Sequence, residues 1–158
     1  MLTLTFMLLA ATAPSACGLL KPADVKAIQG HVFEETKLTT DRVDGMITSQ
    51  CFYRLPSFAD SISVTVIRAA SPSTTAEQLW EKLSNEEGEG EEEEHKPAKE
   101  IAGLGEEAFW AGNKLAGAVY VLHGNAILRV SVGGGETMEK KIAKTRQLAA
   151  LALRALPE

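Results

Sequence analysis

The chain has 158 residues, of which 45% are apolar and 23% charged, enough for one globular domain that buries roughly two thirds of the surface its unfolded form exposes. The formal charge is -5, but residues 86–94 hold seven glutamates and no cation, so the remainder carries a net +2. No basic stripe interleaved with aromatics is present, which excludes the footprint of nucleic-acid binding. The cations Lys140, Lys141, Lys144 and Arg146 fall on a helical stretch where exposed cations are routine.

Residues 1–13 read Met-Leu-Thr-Leu-Thr-Phe-Met-Leu-Leu-Ala-Ala-Thr-Ala, an uncharged apolar run too short to span a bilayer and of the length of a signal-peptide core. Its N-terminal flank lacks the usual Lys or Arg. Cleavage follows either Ala13, which leaves Pro14 just after the cut, or Ala16, which makes Cys17 the first mature residue; the expected division is a leader over 1–16 and a domain over 17–158. Cys17 then has two fates that exclude each other. Pro14-Ser15-Ala16-Cys17 shares the small residues and the cysteine of a lipidation signal, although Pro14 stands where a branched apolar residue is usual. The alternative is a bridge to Cys51, the only other cysteine, in an oxidising compartment where an even count is normally paired.

Residues 19–30 predict a helix. Pro22 suits its first turn and Gly30 the left-handed position past its end, while Leu20, Val25 and Ile28 give it an apolar face. A brief strand is expected at 31–33, then a polar loop through Thr39, Thr40 and Asp41 to Gly45. Residues 46–55 alternate, with Ile47, Ser49, Cys51, Tyr53 and Leu55 on one side and Met46, Thr48, Gln50 and Phe52 on the other. After a turn at 56–60, the period-two stripe Ile62, Val64, Val66 marks a strand over 61–68, with Ser and Thr between them suited to a wet face.

Thr75 and Gln78 have the spacing of a capping box, and Ala76, Leu79, Trp80 and Leu83 line one face of the helix that follows. The glutamate run then predicts a disordered acidic loop over about 85–99, because it buries no apolar surface and its charges repel. Clustered carboxylates suit calcium, but the spacing matches no EF-hand loop, and neither a metal nor any other cofactor is expected. Gly103-Leu104-Gly105-Glu106-Glu107-Ala108-Phe109-Trp110 reads as the joint at which strand-like sequence resumes. Strands follow at 108–110 and 115–123, with a turn between them, and Gly124-Asn125 is a hairpin signal leading to a strand at 126–132. Gly133-Gly134-Gly135 reads as slack before a closing amphipathic helix over 137–156, since neither a P-loop ending nor a dinucleotide fingerprint accompanies it. The expected fold is α+β, an antiparallel sheet covered by helices in the order α-β-β-β-α-β-β-β-α, with the long helices on one face.

The order Cys17-Gly-Leu-Leu-Lys-Pro-Ala-Asp-Val, then Cys51-Phe-Tyr, then Gly103-Leu-Gly-Glu-Glu-Ala-Phe-Trp and a final amphipathic helix resembles that of small secreted or lipid-anchored bacterial envelope domains of unknown function. The resemblance covers nearly the whole mature chain. It implies a Cys17–Cys51 disulfide and a helix-covered antiparallel sheet similar to the Mog1/PsbP-like class. Lys21 stands where that pattern has a Thr helix cap, and the glutamate run lengthens the central loop. The resemblance supplies no active site.

Function is expected to be that of a non-enzymatic extracytoplasmic binding or assembly module, periplasmic or secreted, whose partner is an envelope protein or a small ligand. Trp110 and Tyr53 are the candidate contact residues, each with a core role as its competitor. Membrane association enters only through a lipidated Cys17. An alternative is a hydrolase using Glu106 or Glu107 as general acid or base, although adjacent strand residues face opposite ways and do not readily share a site. His31, His95 and His123 are isolated and have no metal-ligand spacing.

Overall fold

The computed structural model describes residues 15–88, 98–113, 115–134 and 136–157. Seven strands among them form one antiparallel sheet: β1 (Glu35–Val43), β2 (Met46–Arg54), β3 (Ile62–Ala69), β4 (Lys99–Glu100), β5 (Glu107–Gly112), β6 (Gly117–His123) and β7 (Ala126–Val132). Their order across the sheet is β1-β2-β3-β7-β6-β5-β4. Two meanders, each held by short turns, therefore meet at the β3–β7 pairing, where Val64 lies opposite Val130. The helices are α1 (Pro22–Gln29), α2 (Ala76–Gly88) and α3 (Met138–Ala155).

The mixed α+β architecture is the expected one, with two corrections. The first concerns β1. Residues 31–33 are irregular, and the expected loop is instead a nine-residue strand. All nine of its residues are exposed, so they carry no apolar alternation from which a strand is read. What fixes the hairpin is the turn, in which Asp44 (φ 50°) and Gly45 (φ 77°) adopt the paired left-handed conformation of a type I′ connection.

The second concerns the helices, which divide between the two faces. α1 and α3 cover Cys51, Tyr53, Val64, Val121, Val130 and Trp110, whereas α2 lies on the opposite face against Ile67, Phe109, Tyr120, Leu122 and Ile127. The cause is in β5, β6 and β7, whose alternate residues are apolar on both sides and need cover on both. Trp80 of α2 packs on Phe109 at 5.0 Å, and Phe109 stacks on Tyr120 at 4.9 Å. α2 touches β3, β6 and β7. Apart from Met46, which packs against this cluster, the same face of β1 and β2 is left uncovered by the described helices.

The helix ends follow the sequence signals. Thr75 N–H donates to Gln78 Oε1 (2.9 Å) and Gln78 N–H to Thr75 Oγ1 (3.2 Å), completing the capping box. At α1, Asp24 accepts from the Lys21 N–H at 3.1 Å, so an acidic third residue does part of the work of the absent Thr cap. Residues 85–88, expected within the acidic loop, belong to α2. Residues 89–97 of that loop lie outside the described residues.

Candidate functional site

The N-terminal segment is riveted to the sheet by neighbouring links from β2. Cys51 and Tyr53, two apart and so on one side of the strand, both point at the chain just before α1. Cys17 and Cys51 form a disulfide with an S–S distance of 2.08 Å. The Tyr53 hydroxyl donates to the Ala16 carbonyl at 2.7 Å and accepts from the Leu20 N–H at 3.4 Å. Its ring meets Phe33 edge-on at 5.0 Å. Burial pushes the Tyr53 hydroxyl up from 10 to about 12, against a smaller downward pull from the Leu20 N–H. The bridged sulfur of Cys17 is not free to carry a lipid. The disulfide is compatible with an oxidising compartment, and no described helix is long and apolar enough to cross a membrane.

Both candidate contact residues lie in the core. Tyr53 is fully buried and Trp110 is 3% exposed, so neither presents a surface to a partner. Trp110 packs under α3 while its neighbour Phe109 packs under α2. The octapeptide is thus a joint whose last two residues anchor opposite faces. Gly105 (φ 54°) passes so close to β6 that a Cβ there would sit 2.5 Å from the Leu122 carbonyl oxygen.

The acidic pair is engaged structurally. Glu107 accepts from Trp80 Nε1 at 2.7 Å, tying α2 to β5, and Glu106 accepts from the Gly124 N–H at 2.9 Å, closing the β6–β7 turn. They act on separate elements, as their strand alternation requires. Two further expectations are corrected. Lys141 is not a surface cation: it is 1% exposed, and its Nζ reaches the Leu115 carbonyl at 3.4 Å. Gly133 is not slack, because its N–H donates to the Ser61 carbonyl at 3.0 Å and a Cβ would collide with the Ala59 carbonyl oxygen.

Two clefts of about 530 and 560 Å³ open beside the ends of α2. One is walled largely by the backbone and small residues of the β3–α2 connection, and the other by the joint with Glu100, Glu106 and Glu107. Among the described residues no three His, Cys, Asp or Glu side chains converge as a metal site.

The surface the sequence reading passed over is the bare half of the α2 face. Phe52, on the more polar side of β2, meets Phe58 of the following turn at 5.6 Å. Phe58 is 73% exposed. Beside them, Arg54 pairs with Glu35 at 3.3 Å and with Glu34 at 3.7 Å. The aromatic ladder under α2 ends at Tyr120, whose hydroxyl accepts from Arg129 Nε at 3.0 Å. An aromatic within a Pro-Ser-Phe-Ala-Asp turn was the available signal, since turns rarely have apolar cover to offer.

No protein-family model, curated protein or solved structure matches this chain. The site therefore has to be read from its own geometry.

Proposed function

We propose that the chain is a non-enzymatic extracytoplasmic binding or assembly module, directed out of the cytoplasm by residues 1–16, that docks a protein partner on the bare half of its sheet. The reading keeps the envelope-domain resemblance as its frame. One observation carries it: Phe52 and Phe58 stand together on a sheet face that the chain's own helices leave uncovered. Aromatic and arginine side chains supply most of the energy at protein interfaces, and here Arg54 lies beside Phe52.

A small-molecule site at this surface fits less well. The hollow between Glu35, Lys37, Phe52 and Arg54 has about 170 Å³, below the roughly 300–1,000 Å³ of ligand pockets. Against catalysis stands the structural employment of both Glu106 and Glu107.

A photo-crosslinking phenylalanine analogue placed at Phe58, and separately at the equally exposed Leu115, tests the reading in the native envelope. A discrete protein adduct from position 58 alone, lost in Phe52→Ser, is expected. No adduct, or the same adducts from both positions, would end it.

A further inference from the structure

We propose that β1 is a self-association edge, at which two copies of this chain join antiparallel, β1 against β1, about a two-fold axis through Thr39. This stands independently of the partner proposed above. A free strand edge is a row of unpaired backbone donors and acceptors, and proteins normally blunt it by shortness, proline, charged side chains or cover. β1 is nine residues long, without proline and exposed throughout, so of these devices it has only its charges, Glu35, Lys37, Asp41 and Arg42.

The hairpin register settles which groups are free. Its two-residue turn makes Val43 and Met46 a hydrogen-bonded pair, so the alternating pairs Asp41–Thr48, Thr39–Gln50 and Lys37–Phe52 bond as well. Thr36, Leu38, Thr40 and Arg42 consequently turn their N–H and C=O groups away from β2; of these the Arg42 N–H is met by its neighbour Asp41 Oδ1 at 2.8 Å, a contact an incoming strand would displace. An incoming strand must pair with these four.

The side chains then select the partner. In an antiparallel pairing centred on Thr39, Leu38 of one copy faces Thr40 of the other and Thr36 faces Arg42, which matches outward-facing groups with outward-facing groups. The same register sets Lys37 opposite Asp41 twice, once in each direction, at positions where cross-strand side chains approach most closely. Centring instead on Leu38 sets Glu35 against Asp41, and centring on Lys37 sets that lysine against itself. Moving the centre to Thr40 leaves Lys37 opposite Val43. Among the registers that pair most of β1, only the one centred on Thr39 is both hydrogen-bond-matched and charge-complementary, and it is symmetric, as the isologous contact of a dimer must be. It also brings the two bare half-faces onto one side of a doubled sheet.

Sedimentation equilibrium of the full disulfide-bonded chain over a concentration series tests this. The wild type is expected to dimerise, Lys37→Asp and Asp41→Lys each to weaken the dimer by about tenfold or more, and the double exchange to recover it. Oxidised Thr39→Cys should crosslink two copies, because directly opposed non-bonded residues place their Cα atoms about 4.5 Å apart, within the disulfide range. Thr40→Cys should not. A wild type that stays monomeric with no Thr39→Cys crosslink overturns the proposal, as does a dimer indifferent to both charge reversals. Pairing of β1 with an added extended peptide but not with itself overturns it too.

Discussion

Gly117→Ala tests how tightly the joint is packed. Gly117 lies opposite Gly112 on β6, and the Trp110 indole lies across it: an added methyl would sit 2.3 Å from Trp110 Cζ2, 2.7 Å from Cη2 and 3.0 Å from the Ala111 carbonyl oxygen. The backbone at 117 is not left-handed, so the cost is overpacking alone, about 1–3 kcal/mol. Trp110→Phe removes the outer ring atoms that the methyl would strike. By itself it opens a cavity in a core where Trp110 is 3% exposed, at a cost of about 1–2 kcal/mol, and it also removes an indole N–H that has no hydrogen-bond partner among the described residues. In the double variant the methyl occupies the vacated space. Urea unfolding of all four proteins, followed by far-UV circular dichroism with the disulfide intact, should give a favourable coupling of about 1–2 kcal/mol between the substitutions. Additivity within about 0.5 kcal/mol would mean that the indole is not seated on Gly117, and the anchoring role given to Trp110 would fail with it.

Reducing the Cys17–Cys51 bridge, which spans a sequence separation of 34, should lower stability by about 4 kcal/mol through the freed unfolded chain; a loss below about 1 kcal/mol in denaturant titration would contradict that. Because burial holds the Tyr53 hydroxyl at about 12 rather than at the 10 of the unfolded chain, its contribution is complete below pH 10. It should fall as pH rises toward 12, by about 1.4 kcal/mol per pH unit. Parallel alkaline stability curves for the wild type and Tyr53→Phe would refute this. Gly133→Ala should destabilise by about 2 kcal/mol or more, since its Cβ collides with backbone rather than with a movable side chain, and an unchanged thermal midpoint would restore the reading of that glycine run as slack.

What the sequence made legible follows from burial. β3 and β7 lie at the centre of the sheet, and their apolar stripes are the buried residues Val64, Val66, Leu128 and Val130. The capping box at Thr75 and Gln78 is a local device and needs no tertiary information. β4, only two residues long and paired to Trp110 and Phe109, owes its existence to β5 and has no pattern of its own. The distribution of helices between the faces was present in β5 to β7, where Phe109 and Trp110 are both apolar and cannot share a side, but reading it required treating the run as buried twice rather than as a strand with one wet face. Tyr53 and Trp110 were candidates because aromatics serve interfaces as well as cores, and composition does not separate the two uses. The Phe52–Phe58 contact joins a strand to the turn after it, and only the fold places them together.

β1 was the least legible long element, and the same physics that hid it gives it its proposed role. A strand with both faces in water has no reason to alternate apolar and polar residues, so its sequence is free to carry charge in another pattern. That pattern is Lys37 and Asp41, placed evenly about Thr39. If the charges served only to repel other strands, like charges along the edge would do so at every register. A lysine and an aspartate equidistant from one residue instead penalise some registers and favour one. The distinction shows in the sign of the response: reversing Lys37 on a merely guarded edge leaves a monomer, whereas on a pairing edge it dissolves a dimer that reversing Asp41 as well rebuilds.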